Sequence, residues 1–118
     1  PLVIEGAGGL LVPLTRDVLQ IEQFRRWGFP VVLVSPTRLG CINHALLSVE
    51  ALKRRDIPIA GILFVGDENR DSQRTILDFA GVPCIGRLPW HAPPDAVWLQ
   101  SAADAHIDTT PLIPLLER

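Results

Sequence analysis

Four short apolar runs, each ending at a glycine, a proline or a polar turn, constrain this chain more than any other feature. They are Leu2-Val3-Ile4, Val31-Val32-Leu33-Val34, Ile59 to Val65 and Val82 to Leu88. None alternates apolar with polar residues, so each reads as a strand buried on both faces. Between them the apolar period changes to three or four residues. Val18, Leu19, Ile21 and Phe24 follow Asp17, the expected N-cap, and Gly28 is the expected stop. Ile42 to Arg54 forms an amphipathic pattern with Ala45, Leu46, Val49 and Leu52 inward. Further helices are expected over Asp71 to Phe79, closed by Gly81, over Asp95 to Ala103, and as a short tail near Leu112 to Leu116. Helices alternating with fully apolar strands predict an α/β fold, an open and mostly parallel sheet with helices on both faces. The 118 residues suffice for one such domain, residues 1–118, and leave little room for a second.

In sheets of this kind ligands sit beyond the carboxyl ends of the strands. That rule predicts one crevice formed by Glu5 to Gly9, Ser35 to His44, Val65 to Asn69 and Leu88 to Asp95. The net charge of −2 leaves no basic stripe for a phosphate backbone, so no nucleic-acid partner is expected. Lys53-Arg54-Arg55 falls at an expected helix end, where cations complement the dipole. No apolar run approaches the roughly 20 residues that span a bilayer, and no membrane partner is expected. Cys41 and Cys84 belong to no CxxC or Cys/His cluster; unpatterned thiols suit a reducing cytoplasm, the expected location.

Glu5 follows an expected buried strand directly. A carboxylate there needs a partner, and one carboxylate amid open backbone suits Mg²⁺, which binds through few protein oxygens plus phosphate. Gly6, Ala7, Gly8 and Gly9 let a ligand approach the main chain. They form no dinucleotide fingerprint, because the third glycine and the immediate helix are missing. No Gly-Lys-Ser/Thr occurs anywhere, so a phosphate cradle must come from elsewhere. Leu39-Gly40-Cys41-Ile42-Asn43-His44 joins a strand to a helix, and its free N–H groups make an anion site for carboxylate or phosphate. Asn43 serves there as cap or as donor. Cys41 and His44 come with no second His and acidic partner nearby, and are not read as a nucleophile and base. Arg38 is either an anion contact or a solvated arginine. His91 and His106 receive no role.

Three motifs in order carry a family resemblance. They are Glu5-Gly6-Ala7-Gly8-Gly9 with Pro13-Leu14, then Arg38-Leu39-Gly40-Cys41-Ile42-Asn43-His44-Ala45, then Gly86-Arg87-Leu88-Pro89-Trp90. Together they resemble the dethiobiotin synthetases of the P-loop NTPase superfamily, over about the carboxyl-terminal half of that family's length. The chain opens without Met inside an expected core strand, and the half holding the phosphate loop and the substrate lysine is expected to be missing.

The resemblance implies an ATP- and Mg²⁺-dependent cyclo-ligase, a homodimer, that closes a cyclic urea on 7,8-diaminononanoate with CO₂ in biotin biosynthesis. It implies that Glu5 holds Mg²⁺ and that Glu5, Gly6, Ala7 and Gly8 face the nucleotide phosphates. Gly8, Gly40, Cys41, Ile42 and Asn43 would receive the substrate. Gly66, Asp67, Leu88, Pro89, Trp90 and Asp95 would lie against the nucleotide base. Val65-Gly66 stands where many members carry the Asn that reads adenine, and Arg38 where many carry Lys; the second change keeps charge but alters geometry. By itself the chain is expected to be inactive. The alternatives are a cobyrinate-type amide ligase of the same superfamily and a non-catalytic homologue that serves as a dimerisation or binding module.

Overall fold

The computed structural model describes residues 2–116, without the Leu116 side chain. Three strands, β1 (Val31–Pro36), β2 (Ile59–Val65) and β3 (Cys84–Leu88), form one parallel sheet in the order β1-β2-β3. Helix α1 (Gln20–Trp27) precedes β1, α2 (Cys41–Lys53) joins β1 to β2, and α3 (Arg70–Ala80) joins β2 to β3. After β3 come α4 (Ala96–His106), a 3₁₀ turn at Thr110–Leu112 and α5 (Ile113–Leu116). The α/β class and the parallel open sheet agree with the sequence pattern.

One face of the sheet carries the main core. Ile62 and Phe64 of β2 are fully buried against Cys41, Ala45 and Val49 of α2 and Ile76 and Ala80 of α3. Burying side chains of this size stabilises by about 1.5–3 kcal/mol each, before the entropy of ordering them. The thiol of Cys41 belongs to this core, and Cys84 is exposed, so both are free. A second cluster of Ile21, Leu52 and Ile57 seats α1 against the carboxyl-terminal end of α2. On the reverse face Ile85 fills the space beside Gly61, and α4 packs against β3. The chain following α4 closes over Gly86, whose Cα faces the carbonyl of His106. Helices thus lie on both faces, but the reverse face of β1 is bare, with Val32 38% and Val34 57% exposed.

The helix ends obey local chemistry. Asn69 caps α3 by accepting from the Ser72 amide at 3.1 Å, and Asp95 caps α4 by accepting from Trp98 at 2.7 Å. Gly28 and Gly81 close α1 and α3 in the left-handed conformation. Lys53 donates to the Ala80 carbonyl at 2.6 Å, tying the end of α2 to the end of α3.

Two expectations are overturned. Leu2-Val3-Ile4 is not a strand, and Leu2 and Val3 are 83% and 91% exposed. A strand needs a ladder partner for its N–H and C=O groups, and among the described residues β1 pairs only with β2. Asp17 does not cap α1; that helix starts at Gln20, with Leu19 at the cap position and no side-chain cap. Thr15 instead accepts from the amides of Asp17 and Val18, holding a turn that ends before the helix.

Candidate functional site

The carboxyl ends of all three strands are stitched together. The Thr37 amide donates to the Val65 carbonyl at 3.1 Å, and the Gly66 amide donates to the Leu88 carbonyl at 2.9 Å. Arg87 Nη1 donates to the Gly66 carbonyl at 2.7 Å. These bonds place Thr37, Gly66 and Leu88 side by side at one edge of the sheet. Thr37 borders an open crevice of about 740 Å³, lined by Thr37 to Asn43, by Leu46, Leu47 and Glu50 of α2, and by Asn69 and Ser72 at the start of α3; Gly66, Asp67 and the expected segment Leu88 to Asp95 do not line it.

The amino-terminal end of α2 forms one wall of this crevice. Gly40 occupies its cap position at φ 90°, a conformation open to glycine, and offers no side chain to the first turn. The Cys41 amide is consumed by the Arg38 carbonyl at 3.0 Å, and the His44 amide begins the helical ladder on Gly40. The amides of Ile42 and Asn43 have no partner among the described residues. Two free donors and the positive end of a 13-residue helix therefore face the crevice, an arrangement suited to an anion. Gly40, Ile42 and Asn43 can act through the backbone. Cys41 contributes shape and core packing, because its thiol is buried and its amide is used.

Gly66 sits at this edge, and exposed Asp67 follows it. Leu88 and Pro89 are half-buried next to Gly66, whereas Trp90 is 75% exposed and Asp95 is occupied in capping α4. His91 stacks on Trp98 with ring centroids 4.4 Å apart, fixing the chain between β3 and α4.

Glu5 to Gly9 lies elsewhere and does not line the crevice. The buried side chain of Gln20 donates to the Gly9 carbonyl at 3.0 Å and lies, with Phe24, against the Cα of Gly6. The turn is thus seated on the start of α1, which packs against the far end of α2. Glu5 is exposed rather than buried, because the expected strand before it is not formed. Gly6 is half-buried; Ala7 and Gly8 are exposed with it. Among the described residues no three His, Cys, Asp or Glu side chains cluster as metal ligands. One carboxylate amid open backbone still fits Mg²⁺, which takes one or two protein carboxylates and completes its shell with phosphate and water.

Thr37 and Asn69 fall within the segments expected to form the crevice, whereas sequence reasoning missed Leu46, Leu47, Glu50 and Ser72 as lining residues and Arg87 as a tie between strand ends. A strand arginine gives no sign of its partner. Among the described residues no helix is long and apolar enough to cross a membrane.

Comparison with known proteins adds the family. Residues 1–96 match the family model described as "AAA domain". The chain belongs to the AAA domain family. The protein named ATP-dependent dethiobiotin synthetase BioD of Rhodopseudomonas palustris (strain BisB18) is 59% identical over 101 residues, covering 86% of this chain and 48% of that protein. The same-named proteins of Sphingopyxis alaskensis and Brucella anthropi are 51% and 54% identical, covering 91% and 92% of this chain and 53% and 51% of theirs. This AAA-family chain spans about half the length of the curated relatives it matches.

Proposed function

We propose that this chain is the carboxyl-terminal half of an ATP-dependent dethiobiotin synthetase. The observation that carries the reading is identity above 50% to proteins of that name, across most of the chain. The uncapped start of α2 at the carboxyl edge of the sheet supports it chemically, since the substrate of such an enzyme carries a carboxylate.

In this reading 7,8-diaminononanoate places its carboxylate at the free amides of Ile42 and Asn43, with Gly40 open above them. Gly8 and the neighbouring backbone border its reacting end. CO₂ and one amine give a carbamate, ATP phosphorylates the carbamate oxygen, and the second amine closes the cyclic urea with release of phosphate. ATP lies with its base against Gly66-Asp67 and Leu88-Pro89-Trp90, near Asp95, and its phosphates toward Glu5, Gly6, Ala7 and Gly8. Glu5 would hold Mg²⁺, which when bound supplies charge neutralisation for the phosphates. This chain's own contribution is positioning: fixed backbone donors hold the carboxylate, and the stitched strand ends hold the loops beside it. Glu5 would join that site once Leu2-Val3-Ile4 gains a ladder partner outside this chain. The complete enzyme would be a cytoplasmic homodimer, and the 118 residues alone inactive.

Complementation tests the proposal. The gene for the complete protein should restore growth without biotin to bacteria lacking dethiobiotin synthetase. Failure to do so, with folded protein present in the cells, would refute it.

A further inference from the structure

The three strand ends are tied by ordinary backbone bonds except at one point, where a side chain takes part. Arg87 lies on β3 opposite Phe64 of β2, and its Nη1 crosses to the carbonyl of Gly66 at 2.7 Å. The amide of the same residue is held by the Leu88 carbonyl at 2.9 Å. Both backbone hydrogen-bonding groups of Gly66 are therefore engaged by β3. On its other side Gly66 lies against Thr37: a Cβ added there would stand 2.5 Å from the Thr37 hydroxyl oxygen, on a backbone at φ 126°. Thr37 in turn donates its amide to Val65 and lines the crevice at the start of α2. No carboxylate lies within ion-pair distance of Arg87 among the described residues, so the Gly66 carbonyl is the guanidinium's partner on this edge.

We propose that Arg87 is a positioning residue, a clamp that holds the Gly66-Asp67 turn between the Leu88 loop and Thr37. It thereby sets the shape of the surface against which a nucleotide base rests. The proposal rests on the reading given under Proposed function for the role of that turn. With its amide committed to Leu88, one lone pair of its carbonyl taken by Arg87 and no room for a side chain, Gly66 offers a ligand shape and no donor, only the carbonyl's second lone pair. Any hydrogen bond to an acceptor on the base falls to the amide of Asp67 or to the chain after Leu88. Loss of the guanidinium frees the Gly66 carbonyl and loosens the turn, while the crevice amides on α2 stay in place.

The test compares the complete wild-type protein with Arg87→Ala and Arg87→Lys. Removing a hydrogen bond from a charged donor should raise the KM for ATP roughly tenfold in Arg87→Ala. The kcat at saturating ATP and the KM for the diamine should change less than about twofold. Arg87→Lys, which keeps a charged donor, should recover most of the loss. Hydrogen exchange read without any ligand gives an independent arm: the amides of Gly66, Asp67 and Thr37 should exchange faster in Arg87→Ala, and those of Ile62 and Phe64 should not. Unchanged exchange at Gly66 overturns the clamp, and so does an equal fall in every kinetic constant. If the wild type neither binds nor turns over ATP, the reading of the site fails instead, and the exchange arm alone decides the clamp. If Arg87→Ala does not fold, Arg87→Met, which keeps most of the apolar stem and lacks the donor, carries the same two readouts, and a wild-type ATP KM with wild-type Gly66 exchange in that variant overturns the clamp.

Discussion

At Gly86 the backbone takes φ 141°, and the carbonyl of His106 stands where a side chain would begin. The obstacle is backbone, joined to β3 by the Ile85–Asp108 hydrogen bond at 2.7 Å, so it cannot swing aside as a flexible side chain would. Gly86→Ala should lower stability by about 2–4 kcal/mol, combining backbone strain with overpacking. The midpoint of denaturant unfolding of the complete protein measures it. Glu22 gives the prediction in pH. Its carboxyl accepts from Arg55 at 2.7 Å, and that hydrogen bond, reinforced by the charges of Arg55, Arg25 and Arg26, holds it below its ordinary value of 4.5. A depressed carboxyl favours the folded state above its unfolded value, and the advantage disappears as pH falls through the folded one. Melting temperature should therefore drop as pH is lowered below about 4.5. Glu22→Gln should start lower near neutrality and show a shallower drop. Partners like these were not readable in the sequence: Glu22 and Arg55 are 33 residues apart, and only the fold joins them.

Local chemistry was more legible at the level of elements. The run Ile59 to Val65 is β2 to the residue, and α3 and β3 lie within two residues of their expected bounds. Such segments carry their signal in their own period and caps. Leu2-Val3-Ile4 has the same composition as those strands and forms none, because a strand is defined by its neighbour and the sequence does not name one. The glycine turn after it failed to reach the crevice for the same reason. The element that bears most on function is α2. Its open first turn can be closed deliberately: Gly40→Asp places a carboxylate over the free amides, in a conformation aspartate tolerates better than most residues. The account predicts a rise of tenfold or more in the KM for the diamine, from repulsion and loss of donors. The melting temperature should shift by only a few degrees. Asn69→Ala is the structural counterpart: it should cost about 1 kcal/mol of stability through the lost cap.

At the scale of the whole molecule, the described residues leave several large apolar side chains exposed. Val32 and Val34 lie bare on the reverse of β1, beside a strand edge with no partner among the described residues. The radius of gyration is 14.6 Å, against roughly 13.5 Å expected for a compact domain of this length. An open edge beside bare valines invites pairing with other chains. The chain expressed by itself should bind hydrophobic dyes and associate as its concentration rises, and Val32→Thr with Val34→Thr should weaken both effects; sedimentation and dye fluorescence report them. The sequence showed these valines as core, which suits a sheet covered on both faces and not the half-covered sheet seen here.

The central claim, an ATP-dependent cyclo-ligase completed by sequence outside this chain, is tested most directly by its product. The complete protein is incubated with 7,8-diaminononanoate, ¹³C-bicarbonate, ATP and Mg²⁺, and the mixture is read by mass spectrometry. The account predicts dethiobiotin carrying the labelled ureido carbon, in step with release of phosphate and absent when ATP is withheld. Folded protein that forms no labelled cyclic urea would contradict it.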